Sequence, residues 1–182
     1  RGSAIIVGLK KLIKNKKIKV FVEMDADHSH NPAELPRNIN FFCKNSLDLL
    51  ISSRYLKKSK IVHWGVKRRI FSLCANYLAK SLLKIPIYDF TNGYRIYSRK
   101  SVKKIIKNCG KIGGGFIVLS EILVELYINN LKIKEIETRF VDRIRGGSSV
   151  SLKLILVSLY GLIKLYINKR KEINSIYRQK II

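Results

Sequence analysis

Two aspartates one residue apart, Asp25 and Asp27, have the spacing in this chain that most directly suggests chemistry. They follow an apolar run typical of a buried strand, and residues two apart on an extended backbone project to the same side. Both carboxylates are therefore predicted to reach one divalent cation. Such a cation would neutralise the charge of a departing diphosphate. The alternative is a strand that ends in a turn, where Asp is favoured for its local hydrogen bonds.

Arginines near the ends of other predicted elements form a second group. Arg54 and Arg143 each follow a strand, and Arg68 lies near the start of a helix, four residues before Ser72. A guanidinium presents forked donors that match phosphate oxygens, and the four-residue spacing puts Arg68 and Ser72 on one helix face. These residues are predicted to converge on a phosphate. For each arginine taken alone, the alternative is a solvated basic surface.

The elements that must position these residues alternate between strand and helix. The aspartate pair is expected at the carboxyl end of the strand Ile18 to Met24, which is the edge where open α/β sheets bind ligands. Asn31 and Pro32 are typical of a helix start. The alternation predicts an α/β sandwich. The predicted helices cover residues 4–15, 32–44, 66–83, 101–107, 119–129 and 150–167, and the further strands cover residues 47–52, 96–97 and 133–140.

The composition points to a polyanionic partner. The 182 residues include 37 Lys+Arg against 12 Asp+Glu, which gives a net charge of +25. Nucleic acid, an anionic membrane and a phosphorylated substrate all fit that charge. The length suits one domain or part of one. The three cysteines, Cys43, Cys74 and Cys109, lack CxxC spacing and are expected to be reduced thiols.

Several short motifs together resemble one enzyme family. In chain order they are MDADHSHNP at 24–32, SRY at 53–55, KRRIFS at 67–72, DFTNGYR at 89–95 and FVDR at 140–143. In this order and spacing they are similar to the dolichol-phosphate mannose synthases, which are polyprenyl-phosphate mannosyltransferases among the inverting family 2 glycosyltransferases. The resemblance runs from Arg1 to about Leu165. It implies a GT-A type, Rossmann-like α/β sandwich.

The resemblance implies an activity and a donor site. The activity is transfer of mannose from GDP-mannose to a polyprenyl or dolichyl phosphate. Asp25, Ala26 and Asp27 fall where the family binds the sugar nucleotide and its Mg or Mn ion. Asp25 and Asp27 would be the metal ligands, and Asp27 a catalytic residue.

The same resemblance assigns the basic residues to phosphates. Arg54 and Arg143 match catalytic arginines that hold substrate phosphates, and Arg68 and Ser72 match a pair that binds the lipid phosphate. A lipid phosphate is already an anion near neutral pH, so its oxygen needs little help from a general base to attack the anomeric carbon. Positioning and charge neutralisation would then supply most of the catalysis.

The chain departs from the family pattern in two places. The family's first strand and its nucleobase-binding loop with Pro, Tyr and Glu are missing, so the sequence is expected to be incomplete at its N-terminus. Residues 1–149 would form part of a GT-A domain that alone binds GDP-mannose poorly. Ser149 stands where the family has a phosphate-binding lysine. An inactive protein is therefore an alternative.

Several residues near these motifs have two interpretations. His28 and His30 beside the aspartates suggest zinc, but the nearby arginines favour a hard cation with oxygen ligands. Asp89 and Arg95 either order a loop beside the site or form a buried pair. Glu121 matches a family glutamate, and it also fits an ordinary carboxylate on a helix face.

The C-terminal residues 150–182 are expected to form an amphipathic helix over 150–167 and a basic tail that begins at Asn168. Lys153 and Lys164 interrupt the apolar run, so no transmembrane segment is predicted. The apolar face would lie on a membrane while the cations attract anionic headgroups. The alternative is a helix packed on the sheet. Because no signal peptide is visible, the expected location is the cytoplasmic face of a membrane, reached peripherally or through a membrane-anchoring subunit.

Two other functions fit parts of the sequence. A related transferase that uses another sugar nucleotide, such as UDP-glucose, would carry much the same motifs. A nucleic-acid-binding module would explain the charge and the interspersed aromatic residues. It would not explain paired carboxylates at a strand end, which repel phosphates unless a metal intervenes. Nucleic acid is therefore not expected as a partner.

Overall fold

A computed structural model of the protein describes residues 2–113, 117–142 and 152–179. Within these residues a four-stranded sheet is covered by helices, and two short strands form a second sheet. The helices are α1 (Gly2–Leu12), α2 (Leu35–Lys44), α3 (Val66–Leu83), α4 (Arg99–Asn108), α5 (Ile117–Ile128) and α6 (Leu152–Gln179). The strands are β1 (Val20–Glu23), β2 (Leu49–Ser53), β3 (Lys60–Val62), β4 (Arg95–Ser98), β5 (Ile133–Glu137) and β6 (Arg139–Val141). The predicted α/β class is confirmed.

The order of strands in the larger sheet brings the predicted site residues to one edge. The order is β1-β4-β2-β5, in which β4 is antiparallel to both neighbours and β2 is parallel to β5. Strands β1, β2 and β5 therefore end at the same edge of the sheet. Strand β4 begins there, because Arg95 pairs with both Glu23 and Ile51. The segments after β1 and β2 and the loop before β4 meet at this edge.

The central strand β2 is buried on both faces. Leu49 and Ile51 pack in a large core with residues of α1, α3, α4, α5 and α6, whereas Leu50 packs in a smaller core with Phe42 of α2. Each fully buried aliphatic side chain stabilises the fold by roughly 1.5–3 kcal/mol. Cys109 is buried in the large core, and all three cysteines are unpaired thiols, as predicted. The edge that carries the site is thus anchored by a well-packed strand.

The predicted strand over residues 133–140 is wrong, because the structure has two strands there. Strand β5 belongs to the larger sheet, β6 pairs in parallel with β3, and Thr138 lies between them. Strand β3 was not predicted, since it has only three residues and begins within the lysine-rich segment 57–60. The predicted helix start at Asn31 and Pro32 is a 3-10 turn that leads directly into α2.

Helix α6 is longer than the sequence predicted. It continues to Gln179, so residues 168–171 are helical and the predicted basic tail beginning there is wrong. Ile173 and Ile176 are buried in the large core. They extend the apolar face of α6 beyond residues 168–171, and their packing stabilises this end of the helix. Gly161 allows close packing on α5, because a Cβ there would lie 2.9 Å from Ile117 Cγ1. Among the described helices, none combines the length and apolar character needed to cross a bilayer.

Candidate active site

The aspartate pair lies on a bend directly after β1. The strand ends at Glu23, and His28 adopts a φ of +62°, so strand alternation does not orient the carboxylates as predicted. A local turn orients Asp27 instead, because its Oδ1 accepts hydrogen bonds from the Ser29 backbone N–H at 3.1 Å and from Ser29 Oγ at 2.6 Å. Asp27 is exposed and Asp25 is half-buried. Both the backbone N–H and the hydroxyl of Ser29 therefore hold the Asp27 carboxylate in place.

Buried His30 ties this bend to the loop before β4. Its Nδ1 accepts the backbone N–H of Asp25 at 3.0 Å, which assigns the proton to Nε2, and Nε2 donates to Asn92 Oδ1 at 2.9 Å. The imidazole stacks on Tyr94 at 5.2 Å and meets the edge of Phe140 at 5.5 Å between ring centroids. Both ring nitrogens are engaged in these bonds. His30 is thus a structural support for the aspartates, and it does not fit the zinc alternative.

The donor set fits a hard cation. Asp25 and Asp27 offer carboxylate oxygens, and the described residues place no third His, Cys, Asp or Glu with them in a metal-binding cluster. Mg²⁺ commonly takes one or two protein carboxylates and completes its shell with waters and substrate phosphates. Two carboxylates on an open bend suit such an ion.

Asp89 organises the loop before β4 and the end of β2. Its side chain has no exposed surface, and its two oxygens accept five hydrogen bonds. Three come from Arg54, and the others come from the backbone N–H groups of Thr91 and Asn92. Burial alone would raise the pKa of Asp89, but the adjacent Arg54 charge and hydrogen bonds lower it. Asp89 is therefore an ionised anchor.

The alternative in which Asp89 pairs with Arg95 is wrong. Arg95 is fully buried and donates to the carbonyls of Phe90, Asn92 and Leu119. It stabilises the same loop through the Phe90 and Asn92 carbonyls, and no carboxylate among the described residues forms an ion pair with it. Both residues order the loop, as one of the two interpretations of the sequence expected.

Arg54 presents one side of its guanidinium to the site. Its Nε donates to Asp89 at 2.8 Å, and Nη2 donates to Asp89 at 2.7 Å and to Thr91 Oγ1 at 2.6 Å. No hydrogen bond from Nη1 is formed within the described residues. Burial alone would lower the pKa of Arg54, but Asp89 raises it, with a further contribution from Asp25. The guanidinium is thus a fixed cation close to the aspartate bend.

Arg68 and Ser72 lie on the face of α3 that is directed at the same edge. Arg68 Nη1 donates to both carboxylate oxygens of Asp142 at 2.8 Å, and Ser72 Oγ accepts the Tyr55 hydroxyl at 2.6 Å. Burial raises the pKa of Tyr55. Its hydroxyl stays protonated and donates to Ser72 at neutral pH. The structure thus links Ser72 to Tyr55, the residue next to Arg54, and Arg68 to Asp142. That Arg54, Arg68 and Ser72 converge on a phosphate stays a prediction.

Trp64 contacts both arginines, and no role was predicted for it. The Arg68 guanidinium carbon lies 4.4 Å and that of Arg54 5.3 Å from the centroid of its ring. The available signal was a single tryptophan between a strand and an arginine-bearing helix. A tryptophan in such a position is commonly a hydrophobic-core residue, so the pattern is only a weak signal of a functional role.

The remaining predicted site residues divide into three cases. Ala26 is exposed on the aspartate bend. Glu121 is buried and accepts the backbone N–H groups of Gly110 and Lys111, so its role is structural. Arg143 and Ser149 lie outside the described residues.

Comparison with known proteins agrees with this geometry. Residues 2–106 match the family model of glycosyl transferase family 2. A polyprenol monophosphomannose synthase of Mycolicibacterium smegmatis is 33% identical over 132 residues, which cover 72% of this chain and 49% of the relative. An undecaprenyl-phosphate mannosyltransferase of Micrococcus luteus is 32% identical over 133 residues, which cover 72% of this chain and 53% of the relative. The chain spans about half the length of these relatives. Because the family match includes more than half of its residues, the chain belongs to glycosyl transferase family 2.

Proposed function

We propose that this protein transfers mannose from GDP-mannose to a polyprenyl or dolichyl phosphate. One observation carries the proposal: two arginine guanidinium groups lie within 5.3 Å of the centre of one tryptophan ring, beside a bend with two aspartates. A reaction between a nucleotide diphosphate sugar and a lipid phosphate brings several phosphate groups together and needs that combination of charges. The names of the two relatives support a polyprenyl phosphate acceptor and a mannosyl donor.

In this proposal the aspartate bend serves the donor. Asp25 and Asp27 would hold Mg²⁺ or Mn²⁺, and the ion, when bound, would neutralise charge on the departing diphosphate. Asp27 is kept in place by Ser29, and the backbone of Asp25 by His30. Ala26 between them allows close approach of the sugar nucleotide, since its side chain is a single methyl group.

The arginine side serves the acceptor and the leaving phosphates. Arg54 offers Nη1 to a phosphate oxygen, while Arg68 and Ser72 bind the lipid phosphate. The acceptor oxygen forms a bond to the anomeric carbon as the bond from that carbon to the diphosphate breaks, and GDP leaves. Because the acceptor is an anion before it binds, the residues position it and need not remove a proton. Arg143, outside the described residues, is retained as a further phosphate ligand on the resemblance alone.

A groove beside Ser72 suits the lipid part of the acceptor. It has a volume of about 940 Å³ between α3, α5 and α6, and one of its lining residues, Tyr55, is hydrogen-bonded to Ser72. Five tyrosines contribute to its wall: Tyr55, Tyr77, Tyr88, Tyr127 and Tyr177. Aromatic rings with one polar end favour the boundary between apolar and wet surroundings. A prenyl chain attached to a phosphate at Ser72 would enter this groove.

Two helices supply a surface for membrane contact. Helix α3 exposes an apolar stripe, Val66, Ile70, Leu73 and Tyr77, whose members are 44–75% exposed. Helix α6 packs on α3 and exposes a stripe with the same spacing, composed of Leu156, Tyr160, Ile163 and Ile167. The exposed cations flanking the stripes are Lys67, Arg69, Lys164, Arg170 and Lys171. Each cation close to an anionic surface contributes roughly 1 kcal/mol. We propose peripheral binding to the cytoplasmic face of a membrane through these stripes.

A transfer assay tests the proposed reaction. The full-length protein is purified and incubated with radiolabelled GDP-mannose, a polyprenyl phosphate and Mg²⁺ or Mn²⁺, and lipid-extractable label is counted. We expect transfer that depends on the metal and is abolished in Asp27→Ala. The matched control, Glu172→Ala, removes a carboxylate on the exposed side of α6 and should transfer normally.

The same assay separates the proposal from its alternatives. Transfer of glucose from UDP-glucose at the same rate as mannose from GDP-mannose would contradict the assignment of GDP-mannose as the donor and favour the other sugar nucleotide. Transfer undiminished by excess chelator would contradict the role of the aspartate pair. No transfer from any donor, with folding intact, would favour an inactive family member.

A further inference from the structure

Trp64 occupies a strained turn at the centre of the arginine pair. It is the single tryptophan of the chain and lies between β3 and α3. The preceding residue, His63, has a φ of +63°, a left-handed conformation that is uncommon for a residue with a side chain. Gly65 then begins α3 from an extended conformation. Such backbone strain persists only where the surrounding structure holds it, and it is concentrated at functional sites.

The Trp64 ring contacts two arginines, each of which is paired with a different carboxylate. Arg54 is bonded to Asp89 and Arg68 to Asp142, yet both guanidinium carbons lie within 5.3 Å of the Trp64 ring centroid. The electron-rich face of tryptophan attracts both charges. Phe140 supports the ring edge-on, at 5.3 Å between centroids. Trp64 therefore offsets part of the repulsion between two like charges.

The indole N–H is the second, independent observation. Trp64 Nε1 is buried and has no hydrogen-bond partner in the described part of the chain. Buried donors are nearly always paired, and leaving one unpaired costs free energy. Asp89 is bonded to Arg54, and Asp142 is bonded to Arg68. A buried donor that lacks a partner, on a ring that contacts two cations, is a group that an incoming anion would complete.

We propose that Trp64 is a phosphate-binding and positioning residue. Its ring holds the guanidinium groups of Arg54 and Arg68, and its N–H donates to an oxygen of a bound phosphate. Arg68 is 30% exposed, and its hydrogen bonds within the described residues all go to Asp142. A phosphate that replaces Asp142 on Arg68 gains access to the indole. The identity of that phosphate as the lipid acceptor rests on the proposed function, whereas binding of a phosphate does not.

The wild-type protein provides the first test, because all tryptophan fluorescence comes from this site. The full chain is titrated with inorganic pyrophosphate, with farnesyl phosphate and with farnesol. We expect a saturable change in emission with the two phosphates and none with farnesol. An unchanged spectrum with both phosphates would overturn the proposal.

Two variants separate the ring from the N–H. Trp64→Phe keeps an aromatic face but removes the donor, and we expect farnesyl phosphate binding, measured by calorimetry, to weaken about tenfold, as for loss of a hydrogen bond to a charged group. Trp64→Leu removes both and should weaken binding further. Wild-type affinity in a folded Trp64→Phe protein would refute the role of the N–H. If neither variant folds, the wild-type titration decides. No sugar transfer is needed, so failure of the transfer assay alone would leave this inference standing.

Discussion

Asp89→Asn is expected to destabilise the protein strongly. The substitution keeps the shape of the side chain but replaces one oxygen with an NH₂ group that faces the donors of Arg54. Removing one partner of a buried ion pair costs about 3–5 kcal/mol in the free energy of unfolding. For a chain of this size each kcal/mol lowers the midpoint of thermal unfolding by roughly 2–4 °C. The expected decrease is therefore roughly 6–20 °C.

The measurement is thermal unfolding followed by circular dichroism, with Asp142→Asn as a matched control. Asp142 also pairs with an arginine, but the side chains of that pair are 30% and 24% exposed, so its loss should cost about 1 kcal/mol or less. Equal midpoints for the two variants would refute the argument from burial.

The pH dependence gives an independent check on Asp89. Its pKa is lowered in the folded protein, so its ionised form contributes stability above the ordinary aspartate pKa of about 4. That contribution is lost as pH falls through the lowered pKa. The difference in stability between wild type and Asp89→Asn should therefore narrow in acid. A constant difference would contradict the assignment of Asp89 as an ionised anchor.

Two further predictions concern helix packing and the membrane surface. Gly8→Ala on α1 should raise the free energy of unfolding by about 0.5–1 kcal/mol, because its Cβ would meet nothing within 4 Å. Gly161→Ala should not raise the free energy of unfolding measured with urea, because its Cβ would lie 2.9 Å from Ile117. An equal increase in both variants would contradict the argument that Gly161 is closely packed. The double variant Ile70→Ser and Tyr77→Ser should float less with anionic phospholipid vesicles than wild type. Failure of the wild-type protein to float would indicate that membrane contact requires another subunit.

Local signals explain how much of the fold could be predicted. Helix α3 was predicted with its observed bounds, because Gly65 and Pro86 bracket a continuous apolar pattern. The apolar runs before Asp25 and Arg54 predicted β1 and β2, and therefore the edge where the site lies. These signals act over a few residues and need no knowledge of the tertiary fold.

The partners of the site residues could not be predicted, since they are distant in the sequence. His30 meets Asn92 across 62 positions, and Arg68 meets Asp142 across 74. Nothing within either segment specifies the other residue. The predicted orientation of the Asp25 and Asp27 side chains was wrong because local interactions replace the strand geometry. Ser29 bonds to Asp27, and His28 has a left-handed backbone conformation.

The junction between β5 and β6 influences how a ligand would bind. Thr138 Oγ1 donates to Glu34 at 2.6 Å, and the backbone N–H of Arg139 donates to the same carboxylate at 2.9 Å. The carbonyl of Thr138 accepts the N–H of Lys60 at 3.1 Å, which fixes the adjoining end of β3. These bonds hold the two sheets in one mutual orientation before any substrate arrives. Little conformational entropy then remains to be lost on association, so more of the interaction energy is expressed as affinity.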